Sequence, residues 1–274
     1  MDTSLTVATS RGFNALQGGL TTEQVMERAP AVFSQAAAED LSRRYTFIPT
    51  NRVLNGLMLA GFIPVSAQQA GSRTGSPQFA KHVVRLRRRF ETVQLKDAVP
   101  EVVFLNSHDG SSAYQLRMGI YRVVCLNGLV VSKGAFPACH VAHRGDIVDD
   151  VVAGALEMAE RFGELAGQVE RMEALRLLKD DQLRLAEDAM ALRFPEASGD
   201  RPAASQLLGC RRVEDGGNDL WSVLNRIQEN LLTGGLTRHT STGRLTRTRR
   251  ITSIRENLRI NGRLWDLASQ RLAA

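Results

Sequence analysis

In the stretch His82-Val83-Val84-Arg85-Leu86-Arg87-Arg88-Arg89-Phe90, a β-strand period puts Arg85, Arg87 and Arg89 on one face and Val84, Leu86, Arg88 and Phe90 on the other. A second apolar run, Val102-Val103-Phe104-Leu105, lies within Glu101–Asn106, and His108-Asp109-Gly110 after it is a turn sequence that tolerates positive φ. Ser112–Arg117 reads as the returning strand. Ile120–Leu126 and Leu129–Ser132 then pair through Asn127-Gly128, a second hairpin signal. Together, residues 82–134 predict an antiparallel meander.

Working outward, Val148, Val152, Ala155, Ala159, Phe162, Ala166 and Val169 form an apolar stripe at helical spacing. The stripe predicts one long helix from about Asp146 to Phe194, ended by Pro195 and the Gly199-Asp200-Arg201-Pro202 segment. Upstream, a helix is expected after Pro49-Thr50, carrying Val53, Leu54, Leu57 and Met58 and stopped at Gly61. Phe62–Val65 reads as a short strand and residues 66–78 as a loop. Before these, Glu23–Ala29 reads as a helix capped by Thr21 or Thr22. Toward the C-terminus, Trp221, Leu224, Ile227 and Leu231 predict a helix stopped by Gly234-Gly235. Residues 236–250 read as a Thr- and Arg-rich loop, and residues 252–272 as a last helix.

The expected class is α+β: an antiparallel β-meander packed on a long helix, in β-β-β-α order, with additional helices at both ends. Three parts are expected. Residues 1–40 form a partly ordered arm, residues 41–195 the core, and residues 196–274 a helical region with an Arg-rich loop.

The 274 residues carry a formal charge of +6, and the total conceals a strong segregation. Residues 1–80 are net +1, 81–144 net +6, 145–200 net −8 and 201–274 net +7. Of the 35 cations, 31 are Arg, whose planar fork matches phosphate better than the point charge of Lys. Two basic blocks parted by an acidic one point to a polyanionic partner. Cys125, Cys139 and Cys210 are too few and too scattered for a disulfide framework. No run of about 18 apolar residues is present, so no membrane contact is expected. The first residues lack a secretory pattern, and cytoplasm is the expected compartment.

On a regular strand Arg85, Arg87 and Arg89 share one face. With Arg117 and Arg122 from the neighbouring strands they would track a phosphate backbone. The second block offers Arg244, Arg247, Arg249, Arg250 and Arg255, interspersed with Thr and Ser. Aromatic residues are only 5% of the chain, with Tyr114 and Tyr121 the nearest candidates for base stacking. His108-Asp109 reads first as turn chemistry and only second as an acid–base pair. Cys139, His140, His143, Asp146, Asp149 and Asp150 include metal-ligand types without the paired motif that zinc needs. No GxxxxGK[ST] loop or dinucleotide fingerprint occurs, so no cofactor is expected.

The runs Asn106–Ser112 and Arg122–Val131 resemble a family carried by plasmids and phages, catalogued as domain of unknown function nine-three-two. Phe79-Ala80-Lys81-His82, His143, Trp221, Asn225–Leu231 and Leu258–Trp265 fit the same resemblance, which covers roughly residues 40–270. It implies mobile-element biology and supplies no catalytic residues. The β-β-β-α order also resembles, in pattern alone, the core of ring-forming single-strand annealing proteins.

The leading expectation is therefore a nucleic-acid-binding protein that binds and anneals single-stranded DNA in recombination, without nucleotide hydrolysis, as a homo-oligomer. The alternatives are a protein that engages a host defence factor, and a metal-dependent nuclease using His108, His143 and nearby acids.

Overall fold

A computed structural model of the chain describes residues 19–39, 41, 45–71, 76–93, 95, 98–122, 128–131, 136, 138–142, 147–194 and 201–273. The architecture is α+β, with two compact units: Met1–Gly128 with Ala135–Gly163, and Leu129–Gly134 with Glu164–Ala274.

The sheet contains β1 (Phe62–Gln69), β2 (His82–Arg88), β3 (Ala98–Asn106), β4 (Tyr114–Arg122) and β5 (Gly128–Val131) in that order, and β6 (Cys139–Val141) also pairs with β4. The described pairings are antiparallel, as the meander requires. Ser112–Arg117 and the described start of Ile120–Leu126 are not separate strands, and residues 123–127 lie outside the described residues. Met118 and Gly119 continue the ladder opposite Val102 and Glu101, so β4 runs unbroken through them. β1 is longer than Phe62–Val65 because its Gln68 and Gln69 still pair, with Val83 and His82. Asn127 and Cys125 lie outside the described residues.

One face of the sheet is apolar. Phe62, Val84, Leu86, Val102, Phe104, Leu116, Met118 and Ile120 alternate inward from four strands and are buried. This alternation is what a one-sided core demands of an antiparallel sheet. Two helices contribute to the same core. α1 (Thr22–Arg28) has a capping box at Thr21 and lies outside this pair. α2 (Thr50–Leu59) buries Val53, Leu54 and Leu57. α3 (Val148–Glu160) buries Val151, Ala155, Met158 and Ala159. Glycines set the spacing: a Cβ at Gly56 would meet Val148 at 2.8 Å, and one at Gly154 would meet the Cys139 sulfur at 3.1 Å.

The single long helix is three helices: α3, α4 (Phe162–Ala174) and α5 (Lys179–Arg193). Arg161 closes α3 with a tightened bond to the Met158 carbonyl (3.2 Å). After α4, the backbone takes other partners. Leu220 N–H donates to Leu175 O and Leu177 N–H to Asn218 O, both at 2.8 Å, so this short segment forms a bridge rather than a helical turn.

The second unit also holds α6 (Leu220–Thr233) and α7 (Ile254–Ala273). Asp219 caps α6, and Gly234 ends it at φ 73°. α6 is buried almost all round, so its polar side chains carry internal bonds. Gln228 donates to Asn261 Oδ1 (2.8 Å), and Asn230 donates to the carbonyls of Leu207 (3.0 Å) and Gly209 (2.8 Å). The expected loop at 236–250 contains a hairpin instead, β7 (Thr237–His239) against β8 (Leu245–Arg247). Thr and Arg accept the ladder without needing a core. Among the described residues no helix is long and apolar enough to cross a membrane.

Candidate nucleic-acid interface

The non-core face of the sheet carries the basic strand. Register places Arg85 opposite Val103, and Val103 opposite Arg117, so one row across three strands bears two guanidiniums. The neighbouring row holds Arg87 and Glu101. Glu101 is fully buried and accepts from Arg85 Nε (2.6 Å), Arg85 Nη2 (3.1 Å) and Arg87 Nε (2.7 Å). The Arg85 guanidinium also lies 3.3 Å from the Tyr121 ring centroid. Gly119 makes that ring position available, because a Cβ there would meet Tyr121 at 2.6 Å. Burial opposes the Arg85 charge, but Tyr121 and Glu101 outweigh it and raise its pKa. Burial lowers the pKa of Arg117, which donates to Gln115 Oε1 at 3.0 Å.

Arg85 and Arg87 thus sit in an internal ion network, with side chains only 14% and 11% exposed. Arg122 projects to the opposite, apolar face and is buried. Arg89 lies past the end of β2: its N–H donates to Gly61 O (2.7 Å) and its side chain is exposed. Tyr114 and Tyr121 are both buried, and the Tyr114 hydroxyl donates to Ile48 O, so neither offers a ring to a base.

In the second unit the β7–β8 hairpin projects arginines outward. Arg244, Arg247, Arg249 and Arg250 are exposed, and no carboxylate pairs with them among the described residues. Arg255, at the start of α7, is exposed too and feels the Glu256 carboxylate. Arg259, by contrast, is held by Glu256 at 2.6 Å. The six arginines between 238 and 255 share that segment with no acidic residue.

The hairpin is firmly rooted. Gln206 donates its side-chain amide to Thr237 O (2.8 Å) and accepts from Thr237 N–H (2.7 Å). Thr248 Oγ1 accepts from Leu236 N–H (3.1 Å). Arg193 donates to the carbonyls of Leu231 and Arg249, and Arg211 donates to Asn230 Oδ1 (2.6 Å) and Gly234 O (2.7 Å). At the tip, Gly243 takes φ 77° and its N–H donates to Thr240 O at 2.8 Å.

His108 is a core residue. Thr50 Oγ1 lies 2.9 Å from His82 Nε2, 3.0 Å from His108 Nε2, and accepts from Asn106 Nδ2 at 2.9 Å. His82 Nδ1 donates to Ala80 O (2.9 Å), which makes its Nε2 the acceptor of the Thr50 proton. His108 Nε2 then donates to Thr50. Burial pushes His82 down to about 4, so its neutral ring can accept from Thr50 within this network of structural hydrogen bonds. Asp109 accepts from Ser111 N–H (2.9 Å), the turn role its sequence position implies. Among the described residues no three His, Cys, Asp or Glu side chains gather as a metal site. His143 and Asp146 lie outside those residues.

Sequence reasoning missed two features. Glu101 sits inside the nine-residue strand β3 and betrays itself only through register, beside an Arg-bearing strand. The hairpin has a local signal, Thr240-Ser241-Thr242-Gly243 between short Thr/Arg alternations, that is weaker than an Asn-Gly turn.

A family model described as "Domain of unknown function (DUF932)" matches residues 38–253. Two proteins of Escherichia coli (strain K12) are similar over 92% of this chain and 92% of their own length. They are UPF0380 protein YafZ, 39% identical over 255 residues, and UPF0380 protein YfjQ, 39% identical over 257. No solved structure gives a significant match.

Proposed function

Since the chain belongs to the DUF932 family, whose description assigns no activity, we propose from the site itself that it binds nucleic acid through the phosphate backbone, with single-stranded DNA as the favoured ligand. The observation that carries this reading is the rooted hairpin with exposed Arg244, Arg247, Arg249 and Arg250, which no carboxylate pairs with among the described residues. Unpaired guanidiniums on a fixed backbone attract a polyanion and bind it with little ordering cost. Thr and Ser hydroxyls beside them add neutral donors to phosphate oxygens.

The arginines of β2 have a different part. Arg85 and Arg87 spend their donors on Glu101, so they set the shape and charge of the sheet face, while Arg89 adds an exposed cation past the end of β2. The finer reading is that the protein anneals complementary strands in the recombination of a mobile element, as a cytoplasmic homo-oligomer.

A salt titration of binding to a labelled single strand tests the proposal. Log affinity should fall linearly with log salt, with the slope reduced by about 0.7 for each phosphate contact removed. Arg247→Ala with Arg249→Ala should weaken binding of all sequences alike and flatten that slope. Absence of binding at low salt overturns the reading. Acceleration of annealing between complementary oligonucleotides, without ATP, tests the finer step.

A further inference from the structure

Phe90 follows Arg87-Arg88-Arg89 at the end of β2, and it is placed unlike any other residue described. Its side chain is 90% exposed, and its φ is 62°. Among the described residues it is the one non-glycine with positive φ. The left-handed region crowds a Cβ against its own carbonyl, and glycine or asparagine takes it at lower cost. An aromatic ring in water also gives up the burial that is its main contribution to folding. The free chain gains from neither choice, and strain retained without packing points to function.

The surroundings specify the ligand. Arg89 is exposed beside Phe90, and Arg88 is half-buried opposite Phe62. Leu59, 91% exposed, lies two residues before Gly61, whose carbonyl accepts from Arg89 N–H at 2.7 Å. An apolar ring with guanidiniums one and two residues away matches a flat apolar group joined to an anion. An unpaired nucleotide has that composition: a base with an open π-face and a phosphate next to it.

We infer that Phe90 is a base-stacking residue, whose ring takes the face of one unpaired base while Arg89 meets the adjoining phosphate. The inference rests on the nucleic-acid reading above and identifies its substrate class as single-stranded. In a duplex the faces of the bases are already stacked and closed to the ring.

Three variants test it on single-stranded oligothymidylate. Phe90→Gly should lower affinity about ten-fold, within the range stacking supplies, and its thermal midpoint should stay level or rise as the strain is relieved. Phe90→Tyr should keep the affinity. Phe90→Trp adds an exposed indole to a chain whose Trp221 and Trp265 are buried, and oligothymidylate should quench the added fluorescence. Undiminished binding by Phe90→Gly, or an unquenched indole at 90, overturns the inference. Loss of binding in the Arg247→Ala, Arg249→Ala chain would still support the phosphate reading in that case. If the unaltered chain binds no oligonucleotide at low salt, both fall.

Discussion

Arg85 and Glu101 meet side-on, with Arg85 Nε 2.6 Å from one carboxylate oxygen and Nη2 3.1 Å from the other. Arg87 Nε reaches the second oxygen at 2.7 Å, so a single buried carboxylate holds two cations on adjacent strand positions of one face. Glu101→Gln keeps the shape and removes the charge. Breaking one side of a buried pair costs about 3–5 kcal/mol, and urea denaturation should read a loss near the lower end, because both arginines retain some contact with water. Stability close to that of the parent chain would mean the pair is not coupled to folding.

Thr50 Oγ1 is the hub between His82, His108 and Asn106. Thr50→Val is nearly isosteric and leaves buried donors without an acceptor. The expected cost is about 2–4 kcal/mol, since each orphaned polar group costs about 1–3. Thr50→Ser retains the oxygen and should cost about 1 kcal/mol or less. Equal losses in the two variants would assign the effect to the methyl group instead.

His82 makes folding pH-dependent. Its folded pKa is lowered to about 4 from 6.5 by burial, against the opposing influence of the Ala80 carbonyl and Asp109. The unfolded chain therefore takes up a proton first. The contribution of the neutral ring is present above pH 6.5 and is lost as pH falls from 6.5 toward 4, at most about 3 kcal/mol. Denaturant midpoints measured at pH 7 and pH 4.5 should differ, and His82→Phe should narrow the gap. A gap unchanged by that variant assigns the acid sensitivity to other groups.

Gly234 turns the chain from α6 into the arginine hairpin at φ 73°, where a Cβ would lie 2.6 Å from the Arg249 carbonyl oxygen. That oxygen belongs to the backbone and has no rotamer by which to retreat. Gly234→Ala should lower stability by about 2 kcal/mol or more and weaken oligonucleotide binding by displacing the Arg249 backbone. Gly243→Ala, at φ 77° with open space around it, should cost about 1 kcal/mol and leave Arg249 in place. Calorimetry with both variants separates the clash from the backbone preference.

Much of the fold is legible in the residues themselves. Alternation placed β2, a continuous apolar run placed β3, Thr21 or Thr22 marked the start of α1, and Gly61 and Gly234-Gly235 marked the ends of α2 and α6. Local signals were blind where distant partners decide. The stripe from Val148 to Val169 crosses Arg161 with only Gly163 as a weak local signal, and the Leu175–Leu178 interruption exists because Asn218 and Leu220 claim its backbone. The candidate site was half legible. Composition located both arginine blocks, but nothing local says that Glu101 occupies the donors of Arg85 and Arg87, that Arg122 turns into the core, or that Phe90 leaves its strand for a strained turn.

The bonds of Gln206 to both backbone groups of Thr237 have a consequence for self-association. β7 pairs with β8 on one side, and the groups Gln206 holds are those Thr237 turns away from that partner. One side-chain amide thereby stands in for a third strand at this position. A short, exposed two-stranded ribbon is otherwise a template for edge-to-edge growth. Sealed at Thr237 and studded with like charges, this one resists polymerising with copies of itself.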